Sequence, residues 1–222
     1  GVGLSALTAN TTADNNTALG FYALKANTTG AYNTSVGTYA LDDNTTATHN
    51  TAIGYAAMDA NTTGVSNVAV GSQALDANTT ASYNTAVGQA ALSASTATGG
   101  TAVGYGALAA NVEKNYETAV GYQALTTATT GYYNVAVGKS ALAATSSGAR
   151  NTAVGYDALE ANTTGSYNTA LGNFALTLNT TTSNNTAIGY NTLAANVAAN
   201  NTAVGYAALT ANTTGTANAA MG

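Results

Sequence analysis

The sequence predicts an all-β fold, a parallel β-solenoid (β-roll) of about thirteen 17-residue rungs, and three observations carry that prediction. An aliphatic residue followed by Gly recurs at Gly3, Gly20, Gly37 and so on to Gly222, at thirteen intervals of which eleven are 17 residues and two are 16. A helical repeat needs about 30 residues or more for its pair of helices. Extended chain reaches about 3.3 Å per residue, so one interval goes once around a small flattened coil. The third observation is chemical. Asn-Thr-Ala-Val alternates sides and is rich in strand formers, and Asn-Thr-Thr-Gly supplies residues that accept left-handed turns. Each rung is therefore expected to hold two short strands and two turns. Stacked ~4.8 Å apart, the rungs would make a rod about 60 Å long.

From one turn to the next the consensus reads N-T-A-V-G-Y-x-A-L-x-A-N-T-T-G-x-Y. The residue before the Gly is always aliphatic or Met, as at Val36, Ile53 and Val70. Leu stands four residues after the Gly in twelve of thirteen turns, with Met58 the exception. These two columns are the expected interior. Neighbouring strand residues point to opposite faces, so the equally regular Ala of A-V-G (Ala18, Ala52, Ala86) is expected on the other face. Its small size predicts close approach by a second copy of the chain, a tight bend being the other reading. The residue after the Leu varies freely and holds five of the 13 charged side chains, which predicts that it faces water.

Asparagine forms two further columns. One precedes the T-A-V-G unit in eleven of thirteen rungs, and the other runs through Asn10, Asn27, Asn44, Asn61 and Asn78. Amides stacked in register can bond from rung to rung and satisfy polar groups at the corners. Glu117 interrupts the first column and is expected to weaken it locally. The two 16-residue turns lose their residue in the variable stretch near Gly99 and near Asn200. Residues 1–222 read as a single continuous array. It opens and closes in phase with the repeat and without atypical capping units, so a fragment of a longer fibre protein is expected.

Composition removes several functional classes. The chain has 24 Gly, one His, and no Pro, Cys or Trp, and charged residues make up 6% against roughly 25% in a typical soluble domain. A thiolate-metal or disulfide scaffold is impossible without cysteine. Net charge is −5, with only Lys25, Lys114, Lys139 and Arg150 as cations, which argues against a nucleic-acid surface. No apolar run approaches the ~18 residues of a membrane helix.

The unit Asn84-Thr85-Ala86-Val87-Gly88 resembles the N-[ST]-V-A-[IV]-G rung of trimeric autotransporter adhesin heads. The longer phrase Y-N-T-A-V-G-Y-x-A-L-x-A-N-T-T-G is similar to repeats of phage tail-fibre proteins and related bacterial surface proteins. That resemblance, spread over the whole chain, implies a homotrimeric fibre shaft or head built of parallel β-rolls. It places the chain on a virion fibre or a bacterial cell surface. Two departures matter: the adhesin rung is nearer 14 residues, and Thr here mostly replaces its inner Val.

Chemistry-bearing residues are sparse. His49 stands alone in a variable turn. Gly138-Lys139-Ser140 imitates the end of a phosphate-binding loop but lacks the earlier Gly, where Tyr133 stands. Asp42, Asp59 and Asp76 share one column, with Asp43 beside it. In-register stacking would bring their carboxylates about 5 Å apart, a weak candidate for a hard cation, against which stands a solvated acidic stripe with Lys25 one rung away. The Asn-Thr-Thr turns at Asn27, Asn61, Asn78, Asn162 and Asn212 match the N-glycan acceptor triplet. Tyrosines flank the strand in two columns, one including Tyr55, Tyr105 and Tyr122, the other Tyr32, Tyr83 and Tyr116. They are expected to cover a coil end or a subunit seam, with glycan stacking as the other possibility.

The expected function is structural and non-catalytic, with no cofactor: a segment of an extracellular fibre whose partner is itself. Any host-surface glycan would be met by regions outside this segment, and neither nucleic acid nor membrane insertion is expected. Two alternatives rest on single features. Thr28, Thr45, Thr62 and Thr79 could form the hydroxyl array of an ice-binding solenoid, and the Asn-Thr-Thr column could mark a glycosylated environmental filament.

Overall fold

The computed structural model describes residues 1–111 and 116–222; of the four cations, Lys114 lies outside them. Two compact units, Gly1–Asn115 and Tyr116–Gly222, divide the chain, and both are parallel β-solenoids without helix. The first holds β1 (Thr17–Leu19), β2 (Thr34–Val36), β3 (Thr51–Ile53), β4 (Val68–Val70), β5 (Thr85–Val87) and β6 (Thr101–Val103). The second holds β7 (Thr118–Val120), β8 (Val135–Val137), β9 (Thr152–Val154), β10 (Thr169–Leu171), β11 (Thr186–Ile188), β12 (Thr202–Val204) and β13 (Ala219–Met221). Within each unit successive strands pair in parallel without slip, so Ala52 lies opposite Ala69 and Ile53 opposite Val70. The period read from the sequence is thus a stack of like residues on like.

Each rung has one three-residue strand rather than the two expected. The rest of the coil is turn, yet it too is bonded from rung to rung. Met58 N–H donates to the Ala74 carbonyl at 2.9 Å, Ala56 N–H to Thr38 at 2.9 Å and Thr62 N–H to Thr79 at 2.9 Å. The turns are made from left-handed residues that are not glycine. Tyr39 and Leu41 have φ of 60° and 50°, and Tyr32 has 61°. Such residues cost roughly 1–2 kcal/mol each. Leu41 offsets that cost by full burial and by its own rung-to-rung bond to the Ala57 carbonyl at 3.1 Å. The repeat Gly is required for a different reason. Gly54 has φ of 138°, and a Cβ there would lie 2.5 Å from the carbonyl oxygen of Gly71 in the next rung.

The interior corrects one of the two expected core columns. From Leu24 to Leu193 the column that includes Leu41 and Leu75 is buried as expected, and so is the residue before each member, Ala in every case but Thr192. The strand residue that faces inward, however, is the middle Ala. Ala52 and Ala86 are completely buried, whereas Ile53 is 39% exposed and Val36 and Val70 are half-buried. The inward strand position is held by small residues throughout, Ala in every strand but β2. Where Ser35 takes the Ala position, its hydroxyl donates to the Ala40 carbonyl at 2.7 Å. The small column is therefore core, and the aliphatic column is surface.

Candidate functional site

With Ala turned inward, the strand leaves Thr and the aliphatic residue on its outer face. In the first unit this face carries Thr17 and Leu19, Thr34 and Val36, Thr51 and Ile53, and so on in register. No charged residue stands in either column of either unit. Among the described residues, the hydroxyls of Thr34, Thr51 and Thr85 have no partner within the chain. The turn threonines behave in the opposite way. Thr28 Oγ1 donates to the Thr45 carbonyl at 3.0 Å and Thr62 Oγ1 to that of Thr79 at 2.9 Å. The free hydroxyl array thus lies on the strands, not on the turn column Thr28, Thr45, Thr62 and Thr79.

Both asparagine columns are inside. In the turn column the amides bond to one another: Asn44 Nδ2 donates to Asn27 Oδ1 at 2.9 Å, and Asn61 Nδ2 to Asn44 Oδ1 at 3.0 Å. In the column before the strand each Oδ1 instead accepts the backbone N–H of the next Asn, as Asn50 Oδ1 does from Asn67 at 2.9 Å. Its Nδ2 donates to a carbonyl fourteen residues on, Gly64 at 2.8 Å. At the shortened turn near Gly99 this bond is missing, and Asn84 Nδ2 has no partner among the described residues. The same geometry sets where the Asn-Thr-Thr turn amides stand in the folded chain. Asn27, Asn61, Asn78 and Asn162 are fully buried, and half-buried Asn212 commits its Nδ2 to Asn196 and Gly215. The folded chain does not offer these nitrogens to a glycan.

The acidic column is less solvated than expected. Asp42 is buried and pairs with Lys25 at 2.9 Å, while Asp59 and Asp76 are half-buried. Loss of water pushes the carboxyls of Asp59 and Asp76 above the ordinary range, and the negative charges of Asp42, Asp43 and Asp76 add to the effect at Asp59. Among the described residues no group of three or more acidic or histidine side chains is arranged to hold a metal.

The tyrosines stack along the coil. Tyr116 lies on Tyr133 with ring centres 5.8 Å apart, and Tyr190 on Tyr206 at 5.4 Å. Arg150 continues the first of these rows, its guanidinium over Tyr133 and Tyr167 and bonded to the Tyr167 hydroxyl at 2.7 Å. Exposed His49 stacks on Tyr32 at 4.9 Å, and Lys139 lies over the Tyr156 ring at 4.9 Å.

One residue gains importance from the structure. Glu117, noted in the sequence only as an interruption, is almost completely buried in the corner column. Its Oε1 accepts from Asn134 Nδ2 at 2.8 Å, and its Oε2 has no partner among the described residues. Burial pushes this carboxyl up to about 7, against the opposing pull of its bonds from Asn134. In comparisons with family models, with curated proteins and with solved structures, none matches this chain.

Proposed function

We infer that this chain is a non-catalytic structural segment of an extracellular fibre, of the phage tail-fibre or bacterial adhesin kind. Its copies associate, as a homotrimer, through the Thr and aliphatic face of the sheet. One observation carries this reading: an uncharged aliphatic stripe, including Leu19, Ile53 and Val103, stays in water along the sheet. An apolar row of that kind, alternately exposed and half-buried, calls for a cover. A second copy suits it, because only a surface of the same rung spacing can meet every methyl group in turn. The face is the opposite one to that suggested by the small Ala column. The resemblance of the rung to adhesin heads supplies the number three.

Substituting Val87→Asp and Val154→Asp, one in each unit, tests the reading by light scattering. The wild-type chain is expected at three times its monomer mass, and the double variant at the monomer mass with an unchanged β spectrum. A monomeric wild-type chain would remove the homotrimer.

A second reading uses the same face. Free hydroxyls alternating with methyls, with no charge, form the surface an ice-binding solenoid requires, and the strand array meets this better than the turn array. Thermal hysteresis from a monomeric wild-type chain, abolished by Thr51→Lys, would select it. A trimer without hysteresis selects the fibre.

A further inference from the structure

The corner column before each strand has a fixed hydrogen-bond requirement. Its side chain must accept, at the N–H of the next rung, and must also donate, at the carbonyl fourteen residues on. Asn151 meets both demands, accepting from Asn168 N–H at 2.9 Å and donating to Gly165 at 2.8 Å. Asn134 donates in the same way to Gly148 at 2.8 Å. Glu117 stands in this column, and the corresponding carbonyl is that of Gly131. An ionised carboxylate can only accept. It accepts from Asn134, through Nδ2 at 2.8 Å and through the backbone N–H that also pulls on it, but it has no proton to donate, and Oε2 is buried without a partner among the described residues. A protonated carboxyl carries one acceptor oxygen and one O–H donor, the same pair of functions as an amide.

We propose that Glu117 is a proton-sensitive lock on the first corner of the second unit. When protonated it completes the corner as asparagine does elsewhere, and when ionised it loosens this rung. The raised carboxyl agrees with that assignment, since burial is its main cause. No charged group among the described residues facing Glu117 supplies an alternative. Asn134 and Gly131 are neutral, Tyr116 and Tyr133 are exposed and stacked on one another, and Arg150 is engaged with Tyr132, Tyr133 and Tyr167. Glu113 and Lys114 lie outside the described residues.

The direction of the effect follows from proton counting. Between its ordinary value and its raised one, Glu117 binds more protons folded than unfolded, so stability falls as pH rises through that window. A rise from 4.5 to about 7 corresponds to about a 300-fold loss in the folding equilibrium constant, complete above the higher value. Thermal unfolding of the whole chain between pH 4 and 9 is compared with that of Glu117→Gln and Glu117→Asn. The wild-type midpoint is expected to fall relative to both variants as pH rises, and the carboxyl carbon resonance of Glu117 in the wild-type chain to titrate near neutrality. Parallel pH profiles for wild type and variants, or a resonance that titrates in the ordinary carboxylate range, would overturn the proposal. The resonance decides the question by itself if the variants do not fold.

Discussion

The rungs from Asn27 to Asn78 and those from Glu117 to Thr145 share one core and differ at the corners. In the first stretch four amides form an unbroken ladder, Asn78 Nδ2 reaching Asn61 Oδ1 at 2.8 Å as Asn61 reaches Asn44. In the second, the same column holds Ala128 and Thr145, and amide-to-amide bonding starts only at Asn179, which donates to Asn162 at 3.2 Å. The strand register is nonetheless identical, with Ala119 opposite Ala136 as Ala52 is opposite Ala69. Backbone bonding together with the Ala and Leu columns therefore suffices to build a rung, and the amide ladder adds to a fold already specified. Because solenoid stability is nearly a sum over neighbouring rungs, each corner can be tested separately.

The largest expected effect is common to both stretches. Ala86→Glu and Ala153→Glu each drive an unpaired charge into a fully buried strand position, a change that costs about 3–5 kcal/mol or more. Both variants are expected to lose cooperative unfolding in a thermal melt rather than merely to dissociate. A soluble, folded Ala86→Glu monomer would mean that the strand's inner and outer faces have been assigned the wrong way round.

The corner substitutions come next and divide the two stretches. Asn61→Ala should cost about 1–2 kcal/mol, because Asn44 Oδ1 loses its ladder donor and Asn78 Nδ2 its ladder acceptor inside the coil, while the Gly64 carbonyl keeps its bond from Asn50. Thr145→Asn should act in the other direction. Thr145 is fully buried and accepts from Asn162 Nδ2 only at 3.4 Å, so an amide there would extend the ladder by one rung and gain about 1 kcal/mol. Denaturant midpoints would measure both. Equal losses from Asn61→Ala and Thr145→Ala would show that the ladder contributes nothing beyond its separate corners.

The smallest effect belongs to the acidic column of the first unit. Asp59 and Asp76 have raised carboxyls, so they bind more protons folded than unfolded and their contribution to stability declines as pH rises from their ordinary value of 3.8. Both are partly solvated, which keeps the effect modest. Asp59→Asn is expected to flatten the decline in the thermal midpoint across the ordinary carboxylate range and to leave the neutral-pH profile of Glu117 unchanged. A steeper decline in that variant would remove the desolvation account.

Much of this was legible in the residues before any coordinates. The 17-residue interval, the Leu column and the paired asparagines are enough for a parallel stack with Leu inside and amides bonded between rungs, because identical residues at one spacing can only superpose in register. The left-handed Leu at position 41 was not legible, since nothing in an Ala-Leu pair signals a positive φ. The face of the strand was undecidable for a more basic reason. In Thr-Ala-Val both sides are small or apolar, so hydrophobic alternation assigns neither to the core. Only the closure of the coil around Leu decided it: that closure turned the small residue inward, left Thr and the aliphatic residue on the outer face and drew Glu117 out of solvent into the corner.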